Sequence, residues 1–514
     1  MSQETMPLLA ALRASANRDQ AAFYTPGHKG GQGTPQSLLE LLGADCLRAD
    51  LPELPELDNL FAPEGVIQQA QALAAEAFGA ERTWFLANGS TCGIQAAVLA
   101  TCNPGDKIIM PRNVHQSAIA ALILSGAVPI FVPPDYDPQL ALAHSITPAA
   151  LATALEKHPD TKAVMTVYPT YYGVCGDLEA IAHITHQHHI PLLVDEAHGP
   201  HFAFHPDLPI PALAAGADLT VQSTHKVLAA LTQAAMLHTQ GAFIDPDRIS
   251  KALQLVQSTS PNYLLLASLD AARQQMALQG QALLGQTLKL ANQARDSISQ
   301  IPGVSVLSPN SAGLTPGFQT LDPTRLTVDV SSLGLTGFAA DEILHQQLGV
   351  TAELPSLRQL TFIISLGNTA TDVERLVQAV ETLQCNAWGR GAGKAGVMRI
   401  PVETLHRNVW DPKNHLNIHK TAHTQNSFPP LTPRQAFFAP TETIPLNQSL
   451  NRISAELVCP YPPGIPVLLP GEQVSEEAIA YLKHVIAAGG VITGCADVNL
   501  RSLQVVPENI SIAH

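Results

Sequence analysis

Charge is scarce in this chain. Of 514 residues only 14% are Asp, Glu, Lys or Arg, and the cations are the rarer kind: 28 Lys and Arg stand against 43 Asp and Glu, a formal net charge of -15. A surface so poor in cations does not suit a phosphate backbone, which argues against nucleic acid as a main partner. The same imbalance mildly favours a cationic small molecule. Cysteine is sparse too. Cys46, Cys92, Cys102, Cys175, Cys385, Cys459 and Cys495 form no CxxC pair and are odd in number, so neither a disulfide framework nor a zinc ribbon is indicated. A reducing compartment, the cytoplasm, is the expected location. No apolar run reaches the roughly 18 residues of a membrane span. The opening "MSQETMPLLAALRASANRDQ" lacks a basic stretch followed by a long apolar core, so no secretory signal is expected. What the chain does have is apolar bulk, 46% of its residues, enough for roughly two to four domains with buried cores.

From about residue 60 to 240, short apolar runs alternate with segments of helical spacing. "RTWFLA", "DKIIMP", "VPIFVP", "KAVMTVYPT", "PLLVDEA" and "ADLTVQS" read as strands; "GVIQQAQALAAEAFGA", "NGSTCGIQAAVLATC", "HQSAIAALILSG", "TPAALATALEKHP" and "DLEAIAHITHQHH" read as helices. That alternation predicts βαβ units and a mostly parallel sheet, whose ligands bind at the carboxyl ends of the strands. A long helical stretch follows over 250–300, then smaller α/β elements to 385. The expected domains are 1–295 (large), 296–385 (small α/β), 386–435 (a Gly-, His-, Asn- and Pro-rich linker or irregular segment) and 436–514 (a compact C-terminal unit).

Three features fall at strand ends. In "TVQSTHKVLAALTQAA", Lys226 is the one lysine or arginine among small and apolar residues. "PLLVDEAHG" puts Asp195 at the end of a buried strand, where a carboxylate is costly unless paired. "LANGSTCG" sets Ser90 and Thr91 at a strand-to-helix turn, where backbone N–H groups and hydroxyls form an anion site. Each alone has an ordinary explanation: a snorkelling lysine, a helix cap, a helix start. Together they match pyridoxal 5'-phosphate, which needs a phosphate cradle, an acid for its pyridine nitrogen and a lysine to take its aldehyde. Desolvation favours the neutral, nucleophilic amine. Other patterns lead nowhere. "VDEAH" lacks the upstream phosphate loop of a helicase, and "STHK" lacks the companion motifs of penicillin-binding enzymes. "HITHQHH" (His183 to His189) reads as a solvated helix face, and no metal site is expected.

With these residues in view, the chain resembles the Orn/Lys/Arg decarboxylases of the aspartate-aminotransferase fold (fold type I of the pyridoxal phosphate enzymes). The resemblance is carried by "FYTPGHKGG", "LPELDNLFAPEGVI", "LANGSTCG", "PRNVHQS", "YPTYYGV", "VDEAHG", "QSTHKVLAALTQAAMLH", "STSPNYLLLASLD" and, near the C-terminus, "LNRISAELVCPYPPGIPVLLPGE". It implies an α/β large domain with a mostly parallel sheet, a smaller α/β domain and an appended C-terminal α/β domain. The motifs begin by residue 23, as in a short form without an N-terminal wing domain.

The resemblance also implies roles. Lys226 would bind the cofactor covalently, Asp195 would pair with its ring nitrogen, and His115 would stack on the ring. Ser90, Thr91, Ser223 and His225 would serve the phosphate, and Thr259 or Ser260 would reach across a dimer interface into a shared site. Lys226 or a nearby histidine, His198, would return a proton to the substrate; His198 stands where several relatives carry Trp. Glu353 would meet the distal cation of a basic amino acid. The implied reaction is decarboxylation to an amine and carbon dioxide, feeding polyamine synthesis, with arginine favoured over lysine or ornithine. The implied assembly is a homodimer or a higher homo-oligomer. Two readings of other classes stay open: another fold-type-I enzyme such as an aminotransferase, and a non-catalytic regulatory paralogue.

Overall fold

The computed structural model describes residues 2–387 and 430–508. Most of the expected linker, 388–429, therefore lies outside the described residues. The chain divides into two compact units, one built from residues 1–101 and 185–284, the other from 102–184 and 285–514.

In the first unit four strands lie side by side in the order Arg82–Leu86, Ala235–Thr239, Leu219–Gln222, Leu192–Asp195. The last two run parallel, with Val194 opposite Thr220, whereas Ala235–Thr239 runs antiparallel to both its neighbours. That antiparallel strand was not separated from the lysine motif in the sequence. "AMLHT" is a short, fully buried run, and such runs carry no alternation to distinguish strand from helix. The helix Gly89–Thr101 packs flush on this sheet. A Cβ at Gly93 would come within 2.7 Å of both Leu86 Cδ1 and Val221 Cγ1, so glycine is what lets the backbone approach so closely. The N-terminal helix Pro7–Ala16 is anchored by Asp270, whose carboxylate accepts from the Leu8 N–H at 3.0 Å. Asp270 is itself paired with buried Arg273.

In the second unit three strands run parallel in the order Thr161–Val167, Lys107–Pro111, Val128–Val132. A separate four-stranded antiparallel sheet is built around Arg325–Asp329 and Gln359–Ile363. It is covered by the helix Ala370–Ala387, which buries Val373, Leu376, Val380 and Leu383, the three-and-four spacing of a single helix face. These side chains share a core with Leu326, Val328, Leu360 and Phe362. The C-terminal part pairs Glu442–Pro445 and Ile453–Ser454 with Ser502–Val506, and Cys459–Tyr461 with Val491–Thr493. Its helix Glu476–Ala487 starts at Ser475, whose hydroxyl accepts from the Ala478 N–H, and Leu482 and Val485 complete a core with Val458, Leu468 and Leu503. Ser90, Thr91, Asp195, His198, Ser223, His225 and Lys226 belong to the first unit, at or just beyond strand ends, and His115 and Glu353 to the second.

Because the helix carrying Ser90 sits directly on the sheet, Gly93→Ala should destabilise the protein by about 1–3 kcal/mol through overpacking. Denaturant titration would measure it as a lower midpoint at unchanged slope.

Candidate active site

The strand Arg82–Leu86 ends in a turn held open by Gly89, at φ +75, a conformation in which a Cβ is strained. The turn is braced from the segment after the helix Pro246–Val256: the Ala87 N–H donates to Gln257 Oε1 at 2.8 Å, and the Ser258 N–H to Asn88 Oδ1 at 3.2 Å. Ser90 then lies in the first turn of the helix Gly89–Thr101, where backbone N–H groups lack intrahelical acceptors and the helix dipole is positive. Ser223, directly after the strand Leu219–Gln222, donates its hydroxyl hydrogen to Ser90 Oγ at 2.7 Å. Two hydroxyls from strand ends 133 residues apart in sequence thus meet at one helix N-terminus, an arrangement suited to an oxyanion. Thr91 is exposed beside them. His225 Nδ1 lies 3.0 Å from the Ala234 carbonyl. Only a protonated nitrogen can donate to that carbonyl, so Nδ1 carries hydrogen.

Lys226 sits in the single turn Thr224–Val227 and is half-buried. Its Nζ lies 3.0 Å from His198 Nε2. An ammonium has only hydrogens to offer, so when Lys226 is charged His198 accepts through Nε2 and carries its own proton on Nδ1. Asp195 ends the strand Leu192–Asp195 and is buried. Burial pushes its carboxyl above the usual carboxylate range, opposed by the positive charge of Lys226 and by the Ala197 N–H, which donates to Oδ1 at 3.2 Å. A buried acid of this kind is stabilised in its charged form by a cation brought to it.

In the second unit His115 is the N-cap of the helix Gln116–Ser125. Its Nδ1 accepts from the Ser117 N–H at 3.2 Å and lies 2.8 Å from Ser117 Oγ. With Nδ1 an acceptor, the ring hydrogen belongs on Nε2. Glu353 is exposed, precedes the short strand Leu354–Pro355, and its N–H donates to the Thr361 carbonyl at 3.0 Å. Thr259 and Ser260 lie on an exposed segment of the first unit, where the Ser260 N–H donates to Ser258 Oγ. In "HITHQHH", His186 Nε2 is 3.0 Å from Asp218 Oδ2, and its ring stacks on Phe243.

One polar network was not foreseen. Glu196, the neighbour of Asp195, is fully buried and accepts from the Ala212 N–H, the Thr220 hydroxyl and Gln222 Nε2, at 2.8, 2.9 and 2.8 Å. Gln222 Oε1 lies 3.1 Å from His238 Nε2, and His238 Nδ1 2.7 Å from the Thr83 hydroxyl. Burial pushes the Glu196 carboxyl up to about 7, against these hydrogen bonds, and pushes His238 down to about 3. The imidazole is therefore neutral and passes hydrogen bonds along: Thr83 donates to it, and it donates to Gln222. This line runs from the residue just beyond Leu192–Asp195 across the other three strands of the unit in turn. Glu196 is visible in "VDEAHG" only as a second acid, and no local pattern reveals its partners.

The sign of the pH effect follows. Glu196 binds its proton more tightly folded than unfolded, so it favours the folded state at low pH, and that contribution is lost as pH rises from the unfolded carboxyl range through about 7. Relative to Glu196→Gln, whatever the constant offset, the wild type should lose up to about 3 kcal/mol of stability between pH 4.5 and 8. Thermal or denaturant unfolding of both proteins across that range would check it.

Comparison with known proteins shows the family and the fold. A family profile described as "Orn/Lys/Arg decarboxylase, major domain" matches residues 6–372, and its companion "Orn/Lys/Arg decarboxylase, C-terminal domain" matches 417–494. The chain is 40% identical over 512 residues to the arginine decarboxylase of Bacillus subtilis, covering all of both chains. It is 25% identical to the lysine decarboxylase LdcA of Pseudomonas aeruginosa, over 93% of this chain and 75% of that one. The crystal structure of the Francisella novicida lysine decarboxylase LdcF superposes with a TM-score of 0.83 at 22% identity, over 98% of this chain and 81% of the other. The fold is thus the aspartate-aminotransferase-like α/β fold that the motifs imply, and the chain belongs to the Orn/Lys/Arg decarboxylase family.

Proposed function

We propose that this protein is a pyridoxal-phosphate-dependent decarboxylase that converts a basic amino acid, arginine before lysine or ornithine, to its amine and carbon dioxide. The observation that carries the reading is Lys226 Nζ held 3.0 Å from His198 Nε2 beside the buried acid Asp195. The preference for arginine rests on the end-to-end identity with an arginine decarboxylase.

The residues fit the cofactor. Asp195, raised by burial and opposed by a nearby positive charge, would hold the protonated ring nitrogen. The Ser90–Ser223 pair at the helix N-terminus, with Thr91 and His225, would hold the phosphate. Lys226 would take the aldehyde carbon, and His115 would lie against the ring. Bound there, pyridoxal phosphate supplies the electron sink into which the electrons of the breaking carbon–carboxylate bond pass. With its amine free, Lys226 could carry a proton, and His198 at 3.0 Å could hold or return it. Glu353 would meet the distal guanidinium or ammonium. Thr259 and Ser260, exposed on one chain, would serve a site shared within a homodimer or a larger homo-oligomer. Among the described residues no helix is long and apolar enough to cross a membrane; we place the enzyme in the cytoplasm, in polyamine synthesis.

The test is amine and carbon dioxide release from arginine, lysine and ornithine, side by side. Arginine should have the highest kcat/KM. Lys226→Ala should lose the visible cofactor band of the wild type and at least about a hundredfold in rate. Glu353→Ala should raise KM for the basic amino acid more than it lowers kcat. Transamination of an added keto acid, with no carbon dioxide release, would replace this reading with an aminotransferase.

A further inference from the structure

The C-terminal part of the chain reaches the loop that carries His115. Arg112, just beyond the strand Lys107–Pro111, is buried at 1% exposure and grips two features of the C-terminal part at once. Its Nε and Nη2 donate to the two carboxylate oxygens of buried Glu472 at 3.0 and 2.8 Å. Its Nη1 and Nη2 also donate to the carbonyls of Pro466 and Val467 at 2.8 and 3.0 Å. Glu472 is oriented in turn by the Leu469 N–H, at 3.1 Å. Such a planar fork fixes direction as well as distance, which a lysine would not do.

The loop held in this way presents Gly464 to His115. The Gly464 carbonyl accepts from the Gln116 N–H at 3.0 Å. Gly464 is buried, at φ +86, and a Cβ there would stand 3.3 Å from His115 Nε2 and from Gln116 Nε2, and 3.4 Å from His115 Cδ2. The opposite edge of the imidazole is taken by Ser117. The ring is therefore bounded on one edge by its own helix and on the other by the backbone of a loop about 350 residues further along the chain.

We propose that the loop 462–467 orients the His115 imidazole, with Gly464 beside the ring and Arg112 and Glu472 as positioning residues that hold the loop. This rests on the reading of His115 as the group lying against the cofactor ring. The C-terminal part then serves the chemistry of the site, and its anchor at Arg112 is a control on cofactor geometry.

The experiment compares the wild type, His115→Ala, Gly464→Ala, Arg112→Lys and the double variant His115→Ala/Gly464→Ala as full-length protein. It reads the Kd for pyridoxal phosphate, the visible circular dichroism of the bound cofactor, and the ring ¹⁵N shifts of His115 without cofactor. Gly464→Ala should alter the dichroism, raise the Kd at least about threefold and move the His115 shifts, and Arg112→Lys should do the same more weakly. Gly464→Ala should add nothing to His115→Ala, because it acts through that ring. If Gly464→Ala fails to fold, Arg112→Lys carries the same reading, since it keeps the charge and loses the fork. The proposal is overturned if His115→Ala changes dichroism and Kd while Gly464→Ala and Arg112→Lys leave both unchanged, or if the effects of Gly464→Ala and His115→Ala multiply. A His115→Ala protein that binds and displays the cofactor as the wild type does would instead refute the reading of His115 itself, and this proposal with it.

Discussion

A carboxylate at the end of a buried strand has to be met by positive charge, and in this protein much of the site is arranged around that requirement. Asp195 sits where solvent cannot reach it readily, one backbone N–H is aimed at it, and Lys226 supplies an opposing charge. Lys226 is in turn shared with His198. Lys226 thus links the two, by its charge to Asp195 and by a hydrogen bond to His198. An acid, an amine and an imidazole placed in this way suit the roles proposed for them.

The surroundings of that set are unusually polar for a sheet interior. The adjacent residue Glu196 is surrounded by three donors, and its hydrogen bonds continue through Gln222 and a neutral His238 to Thr83. The rings of Phe78 and His238 stack at 4.8 Å and help close the line off from water. Because its members come from three strands and from the residue that follows the fourth, the line ties the relative shift of neighbouring strands to hydrogen bonds in a buried interior. The geometry at the strand ends inherits that rigidity. In the second unit, buried Arg112 and Glu472 have a similar function, linking the loop around His115 to the C-terminal part.

Much of this was legible in the sequence. The strands ending at Leu86, Pro111, Val132, Asp195 and Gln222, and the helices beginning near Gly89 and Gln116, follow from apolar periodicity and turn residues, because burial leaves a local imprint on every strand and helix. The single cation in an apolar stretch marked Lys226, and an acid at the end of a hydrophobic strand marked Asp195. The antiparallel strand Ala235–Thr239 was missed because five buried residues in a row have no period to read.

What the sequence by itself determined was therefore the kinds of element, their order, and which chemically unusual residues lie at strand ends. The tertiary structure alone decided the partners: Ser223 with Ser90, Lys226 with His198, Glu196 with Gln222, and Arg112 with a glutamate 360 residues away. The reason is physical. Periodicity records whether a residue is buried, a property of its own segment. Which side chain it meets depends on strand register and on how distant loops close, and neither leaves a mark in local spacing.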